Sequence, residues 1–110
     1  MDRQRFVTGS AADTNLEEIF VSLVARWKAE RGPTSFVTEM VQHPAYQQII
    51  ALGEPAIPLL FRELERQPDH WFSALRALTG ANPVRQENRG KLDQMAQDWL
   101  NWGREQGYRW

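Results

Sequence analysis

The chain has 110 residues, 42% of them hydrophobic and 25% charged, which is the composition of one globular domain with a single modest core. Its net charge of −1 provides no long-range field to gather nucleic acid or an anionic membrane, so a nucleic-acid role would need a local basic patch. Because cysteine is absent, disulfides, thiolate metal sites and a thiol nucleophile are excluded.

The N-terminal segment mixes charged and small residues without a period. We therefore expect residues 1–12 to form a flexible arm and residues 13–110 to form a single all-α domain. The segment lacks the apolar stretch of a signal peptide, and no stretch has the roughly 20 apolar residues of a membrane span. These features predict a cytoplasmic protein with no membrane partner.

The clearest helix follows this arm. The segment "TNLEE" at residues 14–18 contains two candidate capping boxes, and Gly32 with Pro33 predicts the end of the helix. Apolar residues between these signals recur at the spacing of one helical face: Leu16, Ile19, Phe20, Leu23, Val24 and Trp27.

Five shorter helices are predicted after the first. Asp69 is the expected cap of the fourth of these, and Gly80 is expected to close it. Gly103 and Gly107 are expected to be breaks after the last of the five. No stretch alternates as a half-buried strand would, so we predict an all-α fold of about six short helices in antiparallel pairs, as a HEAT-like helical repeat or a compact helical bundle. The five segments are residues 35–42, 44–52, 55–66, 70–79 and 88–102.

Two prolines, Pro55 and Pro58, stand three residues apart directly before an apolar run with helical spacing. The first turn of a helix has backbone N–H groups without intrahelical partners, so proline removes no hydrogen bond there, and its φ angle is already helical. The two prolines therefore predict a sharp, rigid helix start.

The two predicted helices that end in glycine share an apolar pattern at an offset of 26 residues: Tyr46, Ile49 and Leu52 match Phe72, Leu75 and Leu78, and each group precedes a glycine and a proline. The unit "LGEPAIPLLFRELE", followed by a turn and "WFSALRALTG", resembles a HEAT-like repeat. The resemblance covers residues 44–84. It implies stacked helical pairs that leave an extended face for a partner protein.

A longer stretch extends the comparison. "HPAYQQIIALGEPAIPLLFRELERQPDHWFSALRALTGANPV", with "RGK" and "AQDWLNWGREQGY" after it, is similar to a group of short uncharacterised bacterial proteins. That resemblance covers roughly residues 24–110. It implies a bacterial source and supplies no activity.

Tryptophan is unusually frequent, with five in the chain. Trp99 and Trp102 share a helical face, and we expect at least one to cover the core. Trp71 and Phe72 diverge by about 100° on a helix, so one of them should be partly exposed. Exposed Trp, Tyr and Arg anchor protein interfaces, so "WLNWGREQGYRW" equally predicts a contact surface. The predicted protein-binding residues are Trp71, Trp99, Trp102, Arg104, Tyr108 and Trp110.

The first functional hypothesis is a non-catalytic protein-interaction module: an adaptor, or an antitoxin-like or immunity-like inhibitor of another protein. A homodimer is also compatible with the sequence, because a two-unit stack leaves ends that a second copy can cover. The alternative is a nucleic-acid-binding accessory protein, although acidic residues are interleaved with the basic ones, as on a solvated face. Its predicted contacts are Arg62, Arg66, Arg76, Arg85, Arg89 and Lys91.

A third hypothesis is a metal-dependent or acid–base enzyme around His43, Asp69 and His70. These residues stand at turns before helices, where Asp is favoured for capping. The chain has no HExxH motif, no Gly-rich phosphate loop and no GxSxG motif. We therefore predict no catalytic residue, no metal and no cofactor.

Overall fold

The computed structural model describes residues 2–32 and 36–110, with side chains from residue 15 onward in those ranges. Every regular element in this part of the chain is helical, which confirms the all-α prediction. A 3₁₀ turn at Gln86–Asn88 precedes the last helix. The α-helices are α1 (Asp2–Glu30), α2 (Val37–Gln42), α3 (Pro44–Ala51), α4 (Ala56–Arg66), α5 (Phe72–Thr79) and α6 (Leu92–Glu105).

Helix α1 begins before the predicted start. Residues 14–18, which were expected to cap it, lie inside the helix. The flexible arm was predicted for residues 1–12, whose side chains lie outside the described part of the chain, so it stays a prediction. The face that begins at Leu16 is confirmed as core-forming at Phe20, Leu23, Val24 and Trp27, which are buried, but not at Ile19, which is 47% exposed.

The two prolines occupy the start of α4, as predicted. Pro55 is the N-cap residue and Pro58 is the third residue of the helix. The turn before them is closed by hydrogen bonds from the Ala56 N–H to the Gly53 oxygen at 3.0 Å and from the Ile57 N–H to the Glu54 oxygen at 2.9 Å. Since neither proline stands where an intrahelical N–H donor is required, the helix starts without a lost hydrogen bond.

The end of α5 was predicted correctly and its start was not. Gly80 adopts a φ angle of 73°, the left-handed conformation that closes a helix and favours glycine. Asp69 is not the cap, because the N-cap residue is Trp71 and it makes no side-chain cap bond. The Asp69 carboxylate instead accepts the His70 N–H at 2.7 Å and pairs with the Arg31 guanidinium at 3.0 Å.

Helix α6 begins four residues later than predicted and runs past Gly103. The expectation that Gly103 is a break is therefore wrong, whereas Gly107, with a φ angle of 91°, does stand just past the end of the helix. The reason for Gly103 is packing: a Cβ atom at position 103 would lie 2.8 Å from Cζ of the buried Phe61 ring. Glycine serves here as a close-approach residue between α6 and α4 rather than as a helix terminator.

The core is formed where α1, α3, α4 and α5 meet. Trp27, Tyr46 and Trp71 contact one another there, with ring centroids 4.5 Å apart for Trp27 and Trp71 and 5.6 Å apart for the stacked pair Tyr46 and Trp71. The antiparallel pairing and the HEAT-like repeat stay predictions. None of the described helices has both the length and the apolar character needed to cross a bilayer.

Candidate binding groove beside helices α5 and α6

Helices α5 and α6 both pack on α4 but make few direct contacts with each other, and a cavity of about 590 Å³ lies beside them. Its lining is largely apolar and comes from α2, α5, α6 and the loop that joins α5 to α6. The apolar lining residues are Val37, Phe72, Val84, Leu92, Met95 and Trp99. An apolar concavity with a few polar groups is the usual form of a binding site.

A second cavity of about 410 Å³ adjoins the first along the C-terminal part of α5. Ser73, Arg76 and Asn82 line both cavities, so the two are contiguous. We call the two cavities together the α5–α6 groove.

The charged side chains of the α5–α6 groove all belong to basic residue types. Arg76 and Arg89 line the first cavity together with His70, and neither Asp nor Glu is among the lining residues of either cavity. Within the described part of the chain, Arg76 and Arg89 form no ion pair, and both residues are exposed. The groove therefore combines an apolar lining with two guanidinium groups that have no carboxylate partner.

Tyr46 positions the N-terminal turn of α5, and with it one wall of the groove. Its hydroxyl accepts the Ala74 N–H at 3.0 Å and donates to the His70 oxygen at 2.9 Å. An N–H group in the first turn of a helix has no intrahelical acceptor, so this hydroxyl acts as a cap supplied by another helix. Burial raises the pKa of Tyr46 well above its usual value, so the hydroxyl keeps its proton.

Asp98 positions the opposite wall by holding the α5–α6 loop against α6. Its Oδ2 atom accepts the Arg85 backbone N–H at 3.0 Å and the Asn88 amide N–H at 2.8 Å. Burial alone would raise the pKa of this carboxyl, but the two hydrogen bonds and the Arg85 guanidinium outweigh it and hold the pKa below its usual value. Asp98 thereby fixes the backbone on the N-terminal side of Arg89.

The predicted protein-binding residues divide into two groups. Trp71 and Trp99 are fully buried, so in this structure they pack the core instead of offering surface to a partner. This agrees with the expectation that at least one of Trp99 and Trp102 covers the core, and Phe72 beside Trp71 is the partly exposed residue of that pair. Trp99 alone among the six predicted residues lines the groove.

The other predicted protein-binding residues belong to the C-terminal segment, where Trp102 and Tyr108 are half-buried. The ring of Trp110 stacks on Phe61, with centroids 4.7 Å apart, and its indole N–H donates to Glu65 at 2.8 Å. Arg104 pairs with the same Glu65 carboxylate at 2.6 Å. In this structure Arg104 and Trp110 therefore hold the segment against α4.

The six basic residues of the nucleic-acid hypothesis also divide. Arg62 pairs with Glu17 at 2.6 Å, Arg66 with Glu63 at 2.7 Å, and Arg85 with Asp98 at 3.4 Å. These three arginines therefore have carboxylate partners that offset their charge. Arg76 and Arg89 share the groove, and Lys91 is exposed at the N-cap of α6.

The residues of the enzyme hypothesis have separate partners. His43 accepts the Ala45 N–H through Nδ1 and contacts Glu30 through Nε2, at 3.0 Å each, whereas Asp69 pairs with Arg31. Among the residues that the structure describes, no three His, Asp or Glu side chains come close enough to hold a metal ion. His43, Asp69 and His70 therefore do not form a ligand set in this structure.

Sequence reasoning missed the apolar lining of the groove and assigned its two arginines only to the alternative hypothesis. One signal was available for Arg76. It has no acidic residue three or four positions away in either direction, whereas Arg66 has Glu63 within one turn. A helical arginine without such a neighbour lacks the usual local ion pair.

No family model matches the chain, and the comparisons with curated proteins and with solved structures found no match either.

Proposed function

We propose that this protein is a non-catalytic protein-interaction module and that it binds a segment of another protein in the α5–α6 groove. The observation that carries the proposal is the larger cavity of the groove, where apolar side chains stand beside Arg76 and Arg89, which have no ion pair within the described part of the chain. Arginine, aromatic residues and methionine are the residue types enriched in protein interfaces. Phe72, Met95 and the two arginines bring these types together at one place.

The size of the groove favours a segment of polypeptide over a compact small molecule. Two contiguous cavities of about 590 and 410 Å³ share lining residues on α5, so an occupant that fills both extends from one into the other. Elongated apolar grooves between helices are a common site for peptide recognition, in which a few side chains enter the groove and the rest of the segment stays in solvent. Val37, which is 42% exposed, extends the apolar surface from one cavity towards α2.

Within this proposal the protein acts in the bacterial cytoplasm, as an adaptor or as an antitoxin-like or immunity-like inhibitor of its partner. Nucleic-acid binding has weaker support, since Arg62, Arg66 and Arg85 are each paired with a carboxylate, which leaves Arg76, Arg89 and Lys91 as the free cations of that hypothesis among the described residues. Because two of these three line a cavity that also has apolar residues, they fit a protein segment better than a run of phosphates.

The test places a photo-crosslinking amino acid at Ser73, which is exposed and lines both cavities. The matched control carries the same amino acid at Gln48, which is exposed on α3 and lines neither cavity. Illumination in the native host is expected to attach one protein through position 73 and not through position 48. That protein, made separately, should bind the purified module with a dissociation constant of about 10 μM or lower.

A groove substitution then links this binding to the site. Met95→Lys places a charge on the apolar lining and is expected to weaken binding, whereas Gln94→Lys, at the exposed neighbouring position of α6, should leave binding unchanged. Circular dichroism checks that both variants stay folded. Equal binding by the two variants, or crosslinking to nucleic acid alone, would overturn the proposal. Crosslinking to a second copy of this chain would make the groove a homodimer interface instead.

A further inference from the structure

The groove is chemically asymmetric in a way that restricts what it can bind. Its titratable lining residues are Arg76, Arg89 and His70, and neither of its cavities is lined by an acidic residue. By contrast, most other arginines of the described chain have a carboxylate within reach, as Arg31 does with Asp69 at 3.0 Å and Arg104 with Glu65 at 2.6 Å. Of the three arginines with described side chains that lack an ion pair, two, Arg76 and Arg89, line the groove, and the third is Arg109.

Two guanidinium groups beside an apolar lining favour a ligand that carries both an acid and an apolar group. A carboxylate can accept paired hydrogen bonds from one guanidinium group, which is the strongest contact that arginine makes with a protein partner. A basic segment would instead be repelled by Arg76 and Arg89, with no acidic lining residue to offset the cost. An apolar side chain of the ligand would displace water from Phe72, Leu92 and Met95.

Neutral polar groups complete the site. Ser73 and Asn82 line both cavities, so they lie where the two cavities meet. The Ser73 side chain is a hydrogen-bond neighbour of the Tyr46 hydroxyl, whereas the Asn82 amide forms no side-chain hydrogen bond within the described part of the chain. A hydroxyl and an amide can each donate and accept, which suits the main chain of an extended segment.

We propose that the partner segment is acidic, an inference that rests on the proposed function. The segment places at least one Asp or Glu side chain on Arg76 and Arg89. Next to it, the segment places an apolar side chain in the larger cavity. The occupant is a segment of another protein, and its specificity comes from this pairing of charge and apolar contact. Like charges against Arg76 and Arg89 reject basic segments, so the same two residues also provide discrimination.

The experiment selects from a display library of random 12-residue peptides on the immobilised full chain. Peptides that carry Asp or Glu beside Leu, Ile, Phe or Met are expected to be enriched. A synthetic peptide of the enriched sequence should lose affinity by about tenfold or more for Arg76→Glu and for Arg89→Glu, because each substitution replaces attraction by repulsion. Its affinity for the unchanged protein should also fall as salt is raised, because the arginines are exposed.

The matched control is Arg109→Glu, which makes the same change of charge at an exposed residue that lines neither cavity. It should leave the affinity within about twofold of the unchanged protein, since distant exposed charges are screened by salt. The charge-neutral variant Arg76→Gln serves as a second probe, and it should weaken binding less than Arg76→Glu does.

The outcomes separate this inference from the proposed function. Enriched peptides that lack acidic residues but lose binding to Met95→Lys would overturn the acidic partner and leave the groove as a protein-binding site. Enriched acidic peptides with the same affinity for Met95→Lys as for the unchanged protein would place binding outside the groove. That result would overturn both the acidic partner and the proposed function. A library with no enriched sequence, or a stronger response to an oligonucleotide than to any peptide, would also overturn both.

Discussion

The Tyr46 hydroxyl on α3 accepts the backbone N–H of Ala74 on α5 at 3.0 Å, across 28 residues of sequence. It also donates to the His70 oxygen at 2.9 Å. One hydroxyl thus joins two helices and satisfies a buried donor in the first turn of α5, the helix that carries Ser73 and Arg76 of the groove.

Tyr46→Phe is therefore expected to destabilise the protein by about 1–3 kcal/mol, because it leaves the buried Ala74 N–H without an acceptor. Urea unfolding at neutral pH, followed by tryptophan fluorescence, measures the change. Tyr108→Phe is the matched control, since the Tyr108 hydroxyl makes no hydrogen bond to the described residues, and it should cost about 0.5 kcal/mol or less. Equal losses in the two variants would contradict the capping role.

The unchanged protein and Tyr46→Phe should also differ in how their stability changes at high pH. Burial raises the pKa of Tyr46 in the folded state, so the stability that the neutral phenol contributes is complete below its unfolded pKa of about 10. That contribution is lost as the pH rises past this value, where the unfolded phenol ionises. The free energy of unfolding, measured between pH 8 and pH 11, should therefore fall more steeply with pH for the unchanged protein than for Tyr46→Phe. The difference between the two slopes corresponds to at most about one bound proton.

Asp98→Asn should loosen the α5–α6 loop. The substitution removes the charge that strengthens the bonds from the Arg85 N–H and the Asn88 amide, and hydrogen bonds to charged groups contribute about 1.5–3 kcal/mol against about 1 kcal/mol for neutral ones. We expect a loss of about 1–2 kcal/mol at pH 7, measured by urea unfolding. Asp93→Asn is the control: Asp93 is exposed in the first turn of the same helix and has no side-chain partner among the described residues, so its loss should cost only the helix-dipole contribution of about 0.3–1 kcal/mol.

The effect of Asp98 should depend on pH with a defined sign. Its pKa is lowered in the folded state, so its contribution is complete above the unfolded pKa of about 4 and is lost as the pH falls through the folded value. The difference in unfolding free energy between the unchanged protein and Asp98→Asn should be constant from pH 5 to pH 7 and shrink below about pH 4. A difference that does not change with acid would mean that the carboxylate charge is not what holds the loop.

Gly103→Ala tests the contact between α6 and α4. Alanine favours a helix interior by about 0.5–1 kcal/mol over glycine, so an uncrowded site would be stabilised. Here the new Cβ atom would lie 2.8 Å from Cζ of the buried Phe61 ring, and overpacking of a core costs about 1–3 kcal/mol. We expect a net loss of about 1 kcal/mol or more in urea unfolding, whereas Gln94→Ala on the same helix should change stability by about 0.5 kcal/mol or less.

A stabilised Gly103→Ala variant would contradict this account, because it would mean that the Phe61 ring yields without cost. The double variant Gly103→Ala, Phe61→Leu provides a further check. The smaller side chain should relieve the clash, so the cost of the alanine should be lower in the Phe61→Leu background than in the unchanged protein.

Features that depend on a few neighbouring residues were predictable from the sequence. Pro55 and Pro58 identify the start of α4, and Gly80 identifies the end of α5, because the φ restriction of proline and the left-handed conformation of glycine act within a single turn. Features that depend on distant residues were not. Asp69 was assigned to the cap of α5 from its position alone, whereas its carboxylate is occupied by Arg31, 38 residues earlier.

The groove is one of the features that depend on distant residues. Its lining joins Val37, Phe72, Arg89 and Met95, which no local pattern connects. The burial of Trp71 and Trp99 could likewise not be distinguished from exposure by spacing, because an aromatic residue at helical spacing suits a core and an interface equally well.

The sequence by itself determined that the chain is all α, where α4 starts and where α5 ends, since helical periodicity and the geometry of proline and glycine are properties of adjacent residues. Only the tertiary structure decided that Gly103 lies within a helix, that Tyr46 caps α5, and that Arg76 and Arg89 share an apolar groove with no acidic lining residue. The physical reason is that packing and charge compensation depend on which residues become neighbours in space. Those neighbours are defined only when helices α4, α5 and α6 pack together.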